Sequence, residues 1–252
     1  MVGLGRTVLS VWQYLAEFLA LLVRTLRSAA SIHARSLSVI ARVTMMQLFF
    51  TGFQAVLPLT LAAVALGTLV LSISLEYLPV DYVQGVASIV ITREVVPLVT
   101  AFLIIGRSGT AITIEIGNMQ LNDELRALQV MSIPIEQFIM LPRLLGMVLA
   151  FLLLQVYANV FGLLGGYYIA AAVDLHLPSY PVADLLQGID PADFLVSCIK
   201  AILFGTVISL TAIQHGMQVE RSRREIPIVT SRAVVRSLLL CFLLNTAVSL
   251  SA

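Results

Sequence analysis

The stretch Thr92–Pro134, TREVVPLVTAFLIIGRSGTAITIEIGNMQLNDELRALQVMSIP, decides how the rest of the chain reads. It opens as a hydrophobic helix carrying Arg93, Glu94, Arg107 and Glu115, and closes as a short polar helix bounded by Pro134. A charge inside a membrane span costs roughly 2.5 to 3.5 kcal/mol on insertion scales, so four in one span point to a function or to a protein interior. The polar piece that follows has the character of a docking element, and a span with buried charge leading into such an element suits a transporter moved by a separate motor.

Composition supports a membrane class. Hydrophobic residues make up 59% of the 252 and charged residues 12%, whereas about a quarter of the residues in soluble domains are charged. Cys198 and Cys241 lie in apolar runs without CxxC spacing, which argues against a disulfide or metal role. No HExxH or GxSxG motif occurs, and His33, His176 and His215 are scattered over loops and helix ends, so no catalytic or metal site is expected. A net charge of +1 gives no reason to expect a nucleic-acid partner.

Outward from the central stretch, the expected fold is all-α and integral to the membrane, an N-terminal interfacial helix followed by five transmembrane helices and one coupling helix. Residues 1–43 form the N-terminal region, and 44–252 the five-span domain. Val8–Val23 is apolar but short and is interrupted by Gln13 and Glu17, which suits a helix lying in the interface with Trp12 and Tyr14 at headgroup depth better than a signal peptide or a first span. The spans are expected at about 44–75, with a kink near Pro58, and at 86–117, 144–173, 194–219 and 228–250. The coupling helix is expected at 119–131, with Asn122 as its N-cap, Asp123 and Glu124 in the first turn, and Leu121, Leu125 and Leu128 on one face. Gly162, Gly165 and Gly166 permit a close helix contact, within the subunit or at a dimer seam.

Charge distribution gives the orientation. Arg6, Arg24, Arg27, Arg35 and Arg42 share a side with Arg126, Arg143, Arg221, Arg223 and Arg224, while loops 76–85 and 174–193 contain no Lys or Arg. The positive-inside rule therefore puts the N-terminus in the cytoplasm and the C-terminus outside.

Several separated blocks also carry a resemblance. REVVPLVTAFLIIGRSGTAITIEIGNM, then NDELRALQVMSI and LPR at Pro142 and Arg143, MQLFFTGFQAVLP from Met46, and SCIKAILFG from Ser197 occur in the order found in the MlaE (YrbE) permease family. The match runs from about Gln47 to Val248 and departs from the family in two places: RREIPIVTSRAVVRS stands where a Gly-rich Ala-Thr-Thr stretch is usual, and Asn245 stands where an acidic residue is. The resemblance implies a homodimeric permease in the bacterial inner membrane. It also implies a cytoplasmic ABC ATPase that binds the ATP and Mg, with room for a small regulatory subunit on it, and a periplasmic Mce-domain protein. The cargo would be phospholipid or another hydrophobic molecule. The chain itself contains no GxxxxGK[ST] loop. The competing reading is an autonomous ion-coupled carrier built on Arg93, Glu94, Arg107 and Glu115, or a lipid-modifying membrane enzyme.

For the lipid path, Arg93, Glu94 and Lys200 lie at comparable depth and form either a headgroup site or structural pairs; Lys200 is also a candidate partner of Glu94. The apolar wall is expected from Leu66, Val70 and Tyr77. Arg107 and Glu115, about two turns apart, are expected to pair for structure in preference to gating. The topology is directly testable: a cysteine from Asp184→Cys should react with an impermeant thiol reagent in intact cells, one from Ser222→Cys should not, and reaction at 222 would overturn the five-span layout.

Overall fold

The computed structural model describes residues 16–28, 34–77, 80–172, 191–220 and 222–251, all helical or in short turns, with no strand among them. Residues 8–15 of the expected interfacial helix, including Trp12 and Tyr14, and loop residues 174–190 lie outside this set. The elements are α1 (16–28), α2 (Ala34–Gly52), α3 (Val56–Tyr77), α4 (Val80–Ile89), α5 (Val96–Ile104), α6 (Thr110–Leu121), α7 (Glu124–Val130), α8 (Leu141–Ala172), α9 (Pro191–Gly216) and α10 (Glu225–Ser251). Short irregular turns join several of them into longer rods. Among the described residues, five helical segments are long and apolar enough to cross a membrane: Leu37–Tyr77, Gly85–Leu121, Glu136–Ala172, Pro191–Gly216 and Glu225–Ser251.

Three of the irregular turns have the same local cause. A proline has no N–H to give to the carbonyl four residues back, and its ring crowds that carbonyl. Pro58 places that position at Gln54, inside the 3-10 turn Phe53–Ala55; Pro97 places it at Arg93, inside the π-turn Val90–Val95; and Pro142 places it at Phe138, inside the π-turn Glu136–Met140. Where a kink is expected near Pro58, the structure has this 3-10 turn about one turn before the proline. A further π-turn, Ile105–Gly109, falls where Gly106 and Gly109 flank Arg107.

Packing centres on α8. Its buried residues Gly146, Ala150, Leu154, Ala158, Gly162, Gly166 and Ala170 recur every fourth position, the spacing of an i±4 ridge made mostly of residues small enough for backbones to approach closely. Leu59, Ala63, Gly67 and Leu71 of α3 make a matching row, and so do Ser197, Ala201, Gly205 and Ser209 of α9. The crossing of α3 and α8 is tightest at Gly67, where an added Cβ would overlap the Gly162 carbonyl oxygen, while one on Gly166 would come within 2.6 Å of the Gly67 backbone. The glycine motif is therefore used inside the subunit.

The polar piece after α6 departs from expectation in three ways. Its helix is only Glu124–Val130, because α6 continues to Leu121, and two residues in the left-handed region, Asp123 (φ 58°) and Ser132 (φ 59°), bracket it. Asp123, not Asn122, holds the N-cap position; Asn122 closes α6 and donates from Nδ2 to Glu124 Oε1 at 3.2 Å. The leucine face points inward: Leu125 is buried in the core, Leu128 packs on it, and Leu121 packs on Val219, Ile226 and Val229. Apolar side chains beside this much apolar surface within their own chain are covered by it first.

Helix α1 is docked on the same side. Phe18 enters the core beside Leu21 and Leu22, and Gln214 of α9 donates to Glu17 at 3.2 Å. Gly166→Val should wedge α3 from α8 and lower stability by about 1–3 kcal/mol or more, the range for overpacking, read as a lower melting temperature of the detergent-purified protein. Gly85→Ala, whose Cβ would meet nothing within 4 Å, should leave the melting temperature unchanged or raise it.

Candidate functional site

The π-turn at Val90–Val95 displaces one residue's worth of backbone just where the charges sit. Because Pro97 cannot donate to it, the Arg93 carbonyl is left without its helical partner, and Lys200 Nζ reaches across from α9 to donate to it at 2.6 Å. The same ammonium donates to Glu94 Oε1 at 3.1 Å and to Ser249 Oγ at 2.7 Å, which uses all three of its N–H groups. Lys200 is fully buried, so an unpartnered ammonium there would be costly.

Glu94 is equally occupied. Its Oε1 also accepts from the Ser249 hydroxyl at 2.5 Å, and its Oε2 accepts from Asn245 Nδ2 at 2.6 Å. Ser249 accepts from Lys200 and donates to Glu94, so spans two, four and five are joined in one closed circuit. Arg93 lies beside it and meets Asp193 through a single contact, NH1 to Oδ1 at 3.3 Å. Its side chain is 21% exposed, and its other donors have no partner among the described residues.

One turn along α9 from Lys200, buried Ser197 accepts from Gln155 at 2.7 Å and from Asn159 at 3.2 Å, both on α8. This extends the polar contact to span three. Of the expected apolar wall, Leu66 and Val70 are half-buried, whereas Tyr77 stands exposed at the end of α3.

The second polar locus is at the arginine-rich end. Glu115 pairs with Arg143 of α8 at 2.7 Å rather than with Arg107, and the Arg143 side chain is only 8% exposed. Eight residues at about 100° each put Glu115 roughly 80° around the helix from Arg107, off its face. Arg107 keeps NH1 buried without a partner among the described residues. Nearby, buried His215 joins α9 to α10: Nδ1 faces the Thr211 carbonyl at 2.9 Å and Nε2 faces Arg236 NH1 at 3.0 Å. A carbonyl can only accept and a guanidinium only donate, so Nδ1 carries the proton and Nε2 accepts.

The structure thus brings together Arg93, Glu94 and Lys200 and separates Arg107 from Glu115. Sequence reasoning missed Asp193, Ser249, Ser197, Gln155 and Asn159, and it noted Asn245 only as a departure. One signal was available: Pro97 four residues after Arg93 marks a free carbonyl that a buried donor has to satisfy.

Comparison with known proteins adds the following. The family model described as Permease MlaE matches residues 44–251. A probable ABC transporter permease protein of Rickettsia bellii is 25% identical over 240 residues, covering 88% of this chain and 92% of that protein. The intermembrane phospholipid transport system permease protein MlaE of Haemophilus influenzae is 26% identical over 199 residues, 76% of this chain and 75% of its own. The chloroplastic protein TRIGALACTOSYLDIACYLGLYCEROL 1 of Arabidopsis thaliana is 25% identical over 167 residues, 66% of this chain and 48% of its own.

The closed circuit can be tested by double substitution. Lys200→Met should cost about 1–3 kcal/mol by leaving Glu94 and the Arg93 carbonyl short of donors, measured by denaturant titration in micelles. Adding Glu94→Gln should restore part of the loss, because the two residues are coupled. Strictly additive losses would show that they do not act as a pair.

Proposed function

The chain belongs to the MlaE family of ABC transporter permeases, and from that premise we propose that it carries phospholipids, or related hydrophobic molecules, between the bacterial inner membrane and the periplasm. In this reading two copies form the membrane unit, a cytoplasmic ABC ATPase drives it, and a periplasmic Mce-domain protein exchanges lipid with it. The N-terminus and the α6–α8 linker face the cytoplasm, where the arginines gather.

The observation that carries the reading is the division of labour between two adjacent cations. Lys200 has every donor engaged and is buried, which suits a structural pin. Arg93 touches one carboxylate oxygen through one nitrogen and keeps a planar fork of donors, the geometry that binds phosphate bidentately. A headgroup phosphate would exchange with Asp193 for Arg93, while the Glu94 circuit stays closed around Lys200. The lipid tails would lie on apolar helix surface, with Leu66 and Val70 as candidate wall residues.

Coupling to the ATPase is assigned to α7, on the side away from its leucines. Val130 is 80% exposed and Met131 60%, and Arg126 lies beside a cavity of about 480 Å³ between α1, α7 and the start of α8 that Arg24 and Glu136 also line. Leu121, Leu125 and Leu128 anchor α7 to the permease core, so a push on its outer face passes to the helices.

Two variants test the two halves of the reading. Arg93→Ala should keep the assembled complex and basal ATPase activity while lowering lipid transfer about tenfold to hundredfold, the worth of a charge-assisted contact of roughly 1.5–3 kcal/mol; failure to assemble would make Arg93 structural. Val130→Asp should release the co-purifying ATPase with the melting temperature unchanged, whereas Leu125→Asp should destabilise the permease itself. Proton-dependent transport by the chain with no ATPase present would overturn the proposal in favour of an autonomous carrier.

A further inference from the structure

A second lipid-facing feature lies apart from the charged circuit, on the other side of α8. The rod formed by α2 and α3 packs on α8 on both sides of a gap. On one side, an added Cβ on Gly146 would lie 2.7 Å from Gln47 Cβ; on the other, Gly162 faces the Ala63 carbonyl. Between these contacts is an apolar groove of about 470 Å³, lined by Met45, Phe49, Gly52, Phe53, Ala150 and Leu153 among others.

Its walls are built from local sequence. The 3-10 turn Phe53–Ala55 interrupts the helix where Pro58 removes a donor, and Gly52, just before it, presents no side chain; a Cβ there would meet nothing within 4 Å. Phe49 and Phe53 stack at 5.3 Å with their rings 6° from parallel, and they are 57% and 68% exposed. The far end is closed by the Tyr157 hydroxyl, which bonds Thr60 Oγ1 at 2.8 Å, so the floor of the groove carries no free polar group from that tyrosine.

Depth and charge identify the occupant. Met45 to Val56 is about 16 Å of helix, roughly one leaflet of hydrocarbon. Arg42 stands one turn before the groove, three residues ahead of Met45 and seven ahead of Phe49, hence on the same helix face. It has no hydrogen-bond or ion-pair partner among the described residues, and no acidic residue occurs between Arg42 and Leu75.

We propose that this groove is a binding site for a glycerophospholipid of the leaflet on the arginine-rich side, one acyl chain lying along Phe49, Phe53 and Leu153 and the phosphate at Arg42. The site is separate from Arg93, and its occupancy does not depend on transport or on an ATPase.

The probe is a phosphatidylglycerol carrying a mid-chain diazirine, added to delipidated, detergent-purified protein, with adducts located by peptide mass spectrometry. Labelling should fall on the segments containing Phe49–Phe53 and Leu153. Gly52→Leu, which fills the groove without a backbone clash, should reduce it by about tenfold or more, as loss of burial for two methylenes would give. Arg42→Ala should also reduce it, and Leu239, a control position exposed on α10, should stay at background. If Gly52→Leu lowers the melting temperature, Leu153→Trp fills the groove from the opposite wall and takes its place. Labelling unchanged by the filling variant, or equal at Leu239, would overturn the site. So would p-benzoylphenylalanine incorporated in place of Phe53 cross-linking to a second copy of the chain instead of to lipid.

Discussion

A single missing hydrogen bond governs the upper half of this molecule. Inside a bilayer no water is at hand to satisfy a backbone carbonyl, so each break in a helical ladder has to be repaired by the protein. Pro97 makes such a break at the Arg93 carbonyl, and Lys200 repairs it. An ammonium brought to that depth then needs two more acceptors and a counter-charge, which Ser249 and Glu94 provide. Glu94 in turn needs donors for its second oxygen, and Asn245 supplies one. The charges of spans two and four and the polar groups of span five that meet them are thus consequences of one another, set off by a proline that fixes where the circuit must stand.

Between the polar loci the spans are held by shape. The i±4 rows of small residues on α3, α8 and α9 let backbones touch, and without a hydrophobic force between helices in lipid, such contact and interhelical hydrogen bonds supply the association. This leaves a stiff middle with polar joints toward each end: the Lys200 circuit at one, and Glu115–Arg143 with Thr211–His215–Arg236 at the other. On the proposed reading a force applied at α7 enters through its leucines at the second end and is carried along rods that do not compress. The π-turns at 90–95 and 105–109 are the places in span two where the ladder is already loosened, and each carries a cation, Arg93 or Arg107.

Much of this was legible in the sequence, and the rest was hidden for definite reasons. Uninterrupted apolar length and the loops free of Lys and Arg pointed to five crossings, and the rarity of charge in membrane spans singled out Arg93, Glu94 and Lys200. Partners were harder to read. Glu115 and Arg143 are 28 residues apart and meet only because the chain turns back after α6 and brings the start of α8 within an arginine's reach of it, so along-the-helix reasoning assigned Glu115 to Arg107. The leucine face of α7 was periodic enough to recognise, but periodicity shows that a face is buried without saying against what; in this structure it packs on its own chain. The π-turns left their trace in Pro97 and Pro142, which mark the freed carbonyl although not the form the helix takes around it.

Asn245 completes the electrostatic argument. Family resemblance leads one to expect an acid at this position, and an acid would place two carboxylates on one ammonium, with no donor for Glu94 Oε2 unless one of them held a proton. The amide supplies that donor directly and leaves Arg93 and Lys200 balanced by Asp193 and Glu94. On the proposed reading, the opposite charges of Glu94 and Lys200 largely cancel for an arriving phosphate. Its binding then turns on whether it displaces Asp193 from Arg93, an exchange of one anion for another at a guanidinium that stays paired throughout. Such an exchange asks little desolvation of the arginine in either state, which would suit the proposed site, since it would have to release its lipid as well as receive it.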